Sequence, residues 1–216
     1  MQQVLFEQSS PNPISAHAGL LLVEGCHYFE NYLTLQAASD LLQRLWTELG
    51  WQQRTVRIFG REVMQPRLIC WQSDPDVIYS YSGLKLEPAA WHPSLNELRR
   101  QLHTDLCADF NSVLINAYRN GQDSMGWHAD DEPELGRNPL IASISLGAAR
   151  NFRWREKAAH KSAGVELQHG SLLLLSGDFQ HSFQHSVPKT RKETGLRINL
   201  TFRQICPATN YSKLRY

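Results

Sequence analysis

The chain is poor in cysteine, has no long apolar run and carries almost no net charge. Its four cysteines, Cys26, Cys70, Cys107 and Cys206, lie far apart, and no two stand at the spacing of a zinc knuckle or a redox CxxC motif. A disulfide framework is therefore not expected. The thiols read as reduced, mostly core-filling groups of a cytosolic protein, or a nuclear one in a eukaryote. Apolar runs such as Leu172 to Leu175 are far too short to span a bilayer, so no membrane is expected as a partner. The opening stretch, MQQVLFEQSSPNPIS, lacks a basic segment followed by a long apolar one, so no signal peptide is expected. Repeats and low-complexity segments are absent. The net charge of +1 gives no whole-chain field, and any basic surface must be local.

What is present suits one soluble globular domain. The 216 residues are 42% hydrophobic and 20% charged, enough to close a sizeable core. Residues 1–18 read as a polar, proline-containing arm, and residues 19–216 as a single domain, expected as a monomer. From Thr34 to Leu49 the pattern is helical, with Leu41, Leu42, Leu45, Trp46 and Leu49 on one face and Gly50 as the expected C-terminal cap. HPSLNELRRQLHTDL predicts a second helix, with Ser94 and Glu97 as a capping box. Short β-prone segments then follow: NSVLINAY, LIASISLG, NFRWRE, GVELQHGSLLLLSG and GLRINLTFRQI. Two helices followed by many short strands predict an α+β domain with a sandwich or jelly-roll half.

The stretch GWHADDEPEL places His128 two residues before Asp130. On a strand, residues two apart share a face, so an imidazole and a carboxylate offer two ligands to one ion. One such pair is weak, because a surface hydrogen bond explains it equally well. It gains meaning from HSFQHSVPKTRKETGLRINLTFRQ, which supplies two candidate third ligands, His181 and His185. Two histidines and one carboxylate with open metal positions form the facial triad of non-haem Fe(II) oxygenases. In the strand that follows, Ile198, Leu200 and Phe202 alternate with Arg197, Asn199, Thr201 and Arg203. The alternation alone is that of any half-exposed strand, but two arginines flanking Asn and Thr also suit a bound dicarboxylate. Asn116 and Tyr118, on one face of LINAYRNG, can donate hydrogen bonds to a small acid.

Four segments together resemble the AlkB-type Fe(II)/2-oxoglutarate-dependent dioxygenases: NAY at 116–118, HAD at 128–130, HSVP at 185–188 and RINLTFR at 197–203. The resemblance extends upstream through IFG, QPR and YSYSGL, covers roughly Arg54 to Ile205, and is nearest to the branch that repairs alkylated duplex DNA. It implies a double-stranded β-helix (jelly roll) core over about 111–205, with N-terminal helices and a nucleotide-recognition hairpin region over about 54–110. It implies His128, Asp130 and His185 as ligands of Fe(2+), choosing His185 over His181. It implies Asn116, Tyr118, Arg197 and Arg203 as 2-oxoglutarate contacts, with Asn199 and Thr201 lining the same face. It also implies Asp131, Tyr79, Ser80 and Tyr81 around an extracted base, and Phe59, Gly60 and Arg61 on a hairpin that fills the gap in the duplex.

The chemistry agrees with the resemblance. A methyl group on N1 of adenine or N3 of cytosine makes the base cationic, and a cation favours an aromatic face beside a carboxylate. The methyl carbon resists hydrolysis but can be oxidised. The expected activity is hydroxylation of the N-methyl group with O2 and 2-oxoglutarate, releasing formaldehyde, succinate and CO2, on a base flipped out of DNA. The alternatives are the same chemistry on RNA or another methylated substrate, or a non-catalytic nucleic-acid-binding module. Trp127 reads as a packing residue beside the metal, and Arg54, Arg57, Arg61 and Arg67 as phosphate contacts around the IFG stretch. His103, His160 and His169 read as surface residues.

Overall fold

The computed structural model describes residues 19–58, 61–75, 77, 79–81, 84–86, 88–159 and 161–206, with backbone alone for 56–58, 61, 79–81 and 84–86. The expected arm, Phe59, Gly60 and His160 lie outside the described residues, as do the side chains of Arg57, Arg61, Tyr79, Ser80 and Tyr81.

In chain order the elements are β1 (Leu20–Val23), β2 (Cys26–Phe29), α1 (Leu35–Glu48), β3 (Thr55–Ile58), β4 (Arg61–Met64), β5 (Leu68–Ser73), β6 (Tyr79–Tyr81), β7 (Leu84–Leu86) and α2 (Pro93–Leu106). They continue as β8 (Ser112–Tyr118), β9 (Met125–His128), β10 (Ile141–Gly147), β11 (Arg150–Glu156), β12 (Ser162–Leu167) and β13 (Ser171–Leu175). A short α3 (Phe179–Ser182), β14 (Phe183–Val187) and β15 (Arg197–Arg203) follow.

A seven-stranded sheet, ordered β1-β2-β13-β10-β15-β8-β5, faces a four-stranded sheet, ordered β12-β11-β14-β9. Every pairing in both is antiparallel. This is the expected jelly-roll core, although its larger sheet draws β1, β2 and β5 from before residue 111. Hairpins β3–β4 and β6–β7 belong to neither sheet.

The two helices cover the outer face of the larger sheet. Ala38 and Leu45 of α1, with Leu95, Leu98 and Leu102 of α2, pack on Val113, Ile115, Ala142, Ile144, Ile198, Leu200 and Phe202. A second cluster joins the sheets, with Ile141, Leu173 and Leu175 against Phe152, Trp154 and Phe183. Because both faces of β15 are covered, all seven of its residues are buried. The half-exposed reading of that alternation therefore fails.

Both helix caps differ from expectation. Thr34 caps α1, its side chain accepting from Ala37 N, but the helix ends on an extended Leu49, and Gly50 does not adopt the left-handed conformation of a glycine cap. For α2, Pro93 takes the first helical position, which it favours because it lacks an N–H. The cap therefore falls on His92, whose ring accepts from Ser94 N, while Ser94 Oγ accepts from Arg44. All four cysteines are free, but only Cys26 is fully buried. Among the described residues no helix is long and apolar enough to cross a membrane.

Candidate metal and co-substrate site

His128 ends β9, Asp130 lies just beyond it, and β14 pairs antiparallel with β9 so that His185 sits opposite His128. The two rings stand 4.2 Å apart between centroids. One ligand atom from each of His128, Asp130 and His185 lies within 4.8 Å of the others, the single cluster of this kind among the described residues. His181 falls on α3, where its ring contacts the Arg137 carbonyl, and it takes no part in the cluster.

Local hydrogen bonds prepare these groups for a metal. The His128 Nδ1 lies 2.9 Å from the Gly126 carbonyl, which can only accept. The proton is thus fixed on Nδ1 and the Nε2 lone pair is left available. Asp130 is 2% exposed; its Oδ2 accepts from Arg203 Nη2 at 2.7 Å, and Gln180 accepts from its backbone N–H at 2.9 Å. Asp130 Oδ1 and His185 Nδ1 are buried with no hydrogen-bond partner. Buried polar atoms left unpaired are costly, so this vacant pair fits a donor set built for an ion.

The charges are tuned in the same direction. Burial pushes the Asp130 carboxyl up, but Arg203 first, then His128 and His185, outweigh it and hold it well below the ordinary carboxylate range. Burial, reinforced by His128, pulls His185 down to about 3. Burial also lowers His128, with Asp130 opposing. Both imidazoles are therefore neutral at physiological pH, the form that binds metal.

A cavity of about 50 Å³ between the sheets is lined by the three clustered residues together with Asn116, Tyr118, Arg197, Asn199, Thr201 and Arg203. All nine side chains expected to bind metal or co-substrate thus converge on one space. Arg197 is 1% exposed, and its guanidinium spends one N–H on Ser145 Oγ at 2.9 Å. Its Nε and Nη1 are buried without a hydrogen-bond partner. Burial lowers its pKa, with Tyr118, its cross-strand neighbour, the main counterweight. A buried guanidinium with two idle donors and no carboxylate beside it fits an anionic co-substrate. Asn199 donates to Ser143 Oγ and to the Ile144 carbonyl, which fixes its orientation.

Asp131 lies outside this cavity. It is half-exposed and pairs with Lys157 Nζ at 3.1 Å, and the same ammonium donates to the Gln180 carbonyl at 3.0 Å.

Two expectations need correction. Arg67 is no phosphate contact: it is 3% exposed, and its Nε donates to Asn116 Oδ1 at 2.7 Å. It immediately precedes β5, the edge strand of the larger sheet, which pairs with the strand that carries Asn116. Trp127 is not a packing residue beside the metal. Alternation along β9 turns His128 inward and Trp127 outward, where it is 37% exposed.

Other residues around the site went unforeseen: Gln180, Lys157, Ser143 and Ser145. The serines carried a readable signal. In IASISLG they alternate with Ala142, Ile144 and Leu146, and small polar residues on a buried strand imply buried partners. Of the histidines read as surface groups, His103 is exposed, but His169 is only half-buried and accepts from Gly147 N at 2.8 Å.

The profile of the 2OG-Fe(II) oxygenase superfamily matches residues 25–203. The chain belongs to this superfamily, in its AlkB-type branch. It is 40% identical over 186 residues to the Bos taurus alpha-ketoglutarate-dependent dioxygenase alkB homolog 3, an alignment covering 82% of this chain and 64% of that one. The Homo sapiens counterpart is 38% identical over 83% of this chain and 65% of its own. The chain thus spans less than two thirds of the length of these two relatives. The Bos taurus DNA oxidative demethylase ALKBH2 is 40% identical over 82% of this chain and 68% of its own. In three dimensions, OsALKBH1 superposes with a TM-score of 0.62 at 17% identity, covering 83% of this chain and 96% of that one, a likeness of fold. The family's cofactors are Fe(II) and 2-oxoglutarate, and the clustered His128, Asp130 and His185 suit the first.

Proposed function

We propose that this protein is an oxidative demethylase that repairs N-alkylated bases of the 1-methyladenine and 3-methylcytosine type in DNA. The observation that carries the reading is the pairing, in one cavity, of a two-histidine, one-carboxylate cluster with an idle buried guanidinium. The names of the relatives that are called DNA oxidative demethylases support the choice of substrate.

In this reading His128, Asp130 and His185 hold the iron, which when bound supplies the hydroxylation of an N-methyl group at the expense of O2 and 2-oxoglutarate. Arg203 keeps the Asp130 carboxylate ionised and oriented. Arg197 pairs with a carboxylate of 2-oxoglutarate through the two donors left idle, and Tyr118 and Asn116 line its path, the latter held by Arg67. Arg197 and Arg203 are six strand residues apart, about 20 Å along the backbone. A ligand reached by both arms needs an anionic group at each end, as 2-oxoglutarate has. The surrounding burial excludes water and strengthens each of these contacts.

Asp131 faces the cationic base at the mouth, exchanging the Lys157 ammonium for it. Tyr79, Ser80 and Tyr81 line the base, and Phe59, Gly60 and Arg61 occupy the gap left in a duplex when the base flips out.

The test is direct. The protein is incubated with Fe(II), 2-oxoglutarate and matched single- and double-stranded DNA and RNA oligonucleotides carrying one methylated base, and demethylation is read by mass spectrometry. Turnover on DNA that disappears in His185→Ala and survives in His181→Ala is expected. No turnover on any strand sinks the reading, and turnover confined to RNA moves the substrate.

A further inference from the structure

The indole of Trp127 is the feature that the metal site leaves unexplained. It is a large apolar side chain, 37% exposed, next to a metal-ligand candidate. It lies on the outer face of the four-stranded sheet, and the guanidinium of Arg155 covers it at 4.4 Å from the ring centroid. Arg155 reaches it across β14 and is itself held by Gln184 Oε1, at 3.2 Å from Nε and 2.8 Å from Nη2. The indole therefore keeps a cation on one face, fixed from behind. Arg153, two residues along β11 and so on the same face, donates to Ser162 Oγ at 2.5 Å. The face presents two arginines near the tryptophan, with Glu166 further off on β12, opposite Asn151.

Strand β9 is the edge of its sheet, with a hydrogen-bonded neighbour on one side. His128 points into the cavity and Trp127 points away from it. Strand β9 carries both side chains, and at Gly126, between them and Met125, a side chain would meet no atom of the described residues within 4 Å. A polynucleotide that sends one base into the cavity would carry its neighbour across this open edge to the outer face.

We propose that Trp127, backed by Arg155, is a stacking platform for the base of the nucleotide flanking the lesion. The inference rests on the demethylase reading and deepens it by naming a second nucleotide contact. An aromatic face stacks on any base, and a neighbouring cation suits the anionic backbone, so the platform is indifferent to flanking sequence.

The experiment uses two methylated ligands: a single-stranded oligonucleotide, labelled for fluorescence anisotropy, and 1-methyladenosine monophosphate, which has no flanking nucleotide. Trp127→Ala is expected to weaken oligonucleotide binding about tenfold, within the range of one lost base stack, and to leave the mononucleotide untouched. Trp127→Phe should recover most of the loss. KM for the oligonucleotide should rise with kcat nearly constant. A structural role for Trp127 would lower the melting temperature and weaken both ligands together, and that result overturns the proposal. So does unchanged oligonucleotide binding in Trp127→Ala. Wild-type protein that turns over methylated strands while Trp127→Ala matches it removes the platform alone. Wild-type protein that neither binds nor turns over any methylated strand removes the demethylase reading and the platform with it.

Discussion

Replacing Arg203 by methionine tests the electrostatic logic of the site apart from catalysis. Arg203 and Asp130 are both buried, at 3% and 2% exposure, and meet at 2.7 Å. The substitution keeps an unbranched side chain of similar reach and deletes the charge. Asp130 is then left as a buried carboxylate whose other near neighbours are neutral imidazoles. Removing one partner of a buried ion pair costs about 3–5 kcal/mol, because the remaining charge is uncompensated. At 2–4 °C per kcal/mol for a chain of this size, the melting temperature should fall by roughly 6–20 °C. The assay is urea and thermal unfolding of the protein stripped of metal with a chelator, at neutral pH. The decisive variant is Asp130→Asn combined with Arg203→Met. Losing both charges removes the burial penalty, so the double variant should recover at least half of what Arg203→Met loses, although it has one interaction fewer. A single variant that loses under about 1 kcal/mol, or a double variant no better than the single, would refute the argument that Arg203 is there to neutralise Asp130.

Three further outcomes are expected. The native state keeps His185 neutral down to about 3, whereas the unfolded chain protonates it near the ordinary value of about 6.5. The unfolded state therefore binds more protons in that window, so metal-free stability should fall as pH drops from about 6.5, with Asp130 adding a further loss below about 4; a urea midpoint that is flat between pH 7 and pH 4.5 contradicts this. Arg197→Lys keeps a charge but loses the planar fork, and calorimetry on metal-loaded protein should show 2-oxoglutarate binding weakened at least about tenfold; an unchanged Kd removes Arg197 from the co-substrate. Phe59→Ala should leave turnover on a methylated single strand intact and lower it about tenfold on the same lesion in a duplex, since about 1.4 kcal/mol is a factor of ten; equal losses on both would make Phe59 a core residue.

The legible parts of the sequence were those where two periodicities had to be satisfied at once. In RINLTFR the apolar set faces the helices and the polar set faces the cavity, so the strand declares both its core and its site. His128 and Asp130 were visible as a pair, but residue pattern alone left His181 and His185 equivalent. Strand spacing puts both on one face, and the structure separates them because residues 179–182 coil into a helical turn. Cap positions failed for local reasons: Ser94 and Glu97 have the right chemistry, yet Pro93 moves the helix start and gives the cap to His92. Arg67 was misread because charge suggests a surface. Its burial depends on a carbonyl oxygen of Asn116, 49 residues away, that no local window contains.

The arrangement divides the site between layers. The metal-ligand candidates come from the smaller sheet and its edge, on β9, β14 and the residue pair after β9. The co-substrate candidates come from β8 and β15, adjacent strands in the larger sheet, which the two helices brace from behind. Polar groups can be buried on β15 because its opposite face supplies a full apolar core: Ile198, Leu200 and Phe202 are all at 0% exposure. Burying an apolar side chain of that size stabilises by roughly 1.5–3 kcal/mol, which offsets the desolvation of the guanidiniums opposite. Asp130 is where the layers meet. It follows the edge strand of one sheet in sequence and is clasped by Arg203 from the other. That single contact ties the metal ligands to the co-substrate strand, so a change that loosens the packing of β15 on the helices should disturb metal affinity even though it touches no ligand.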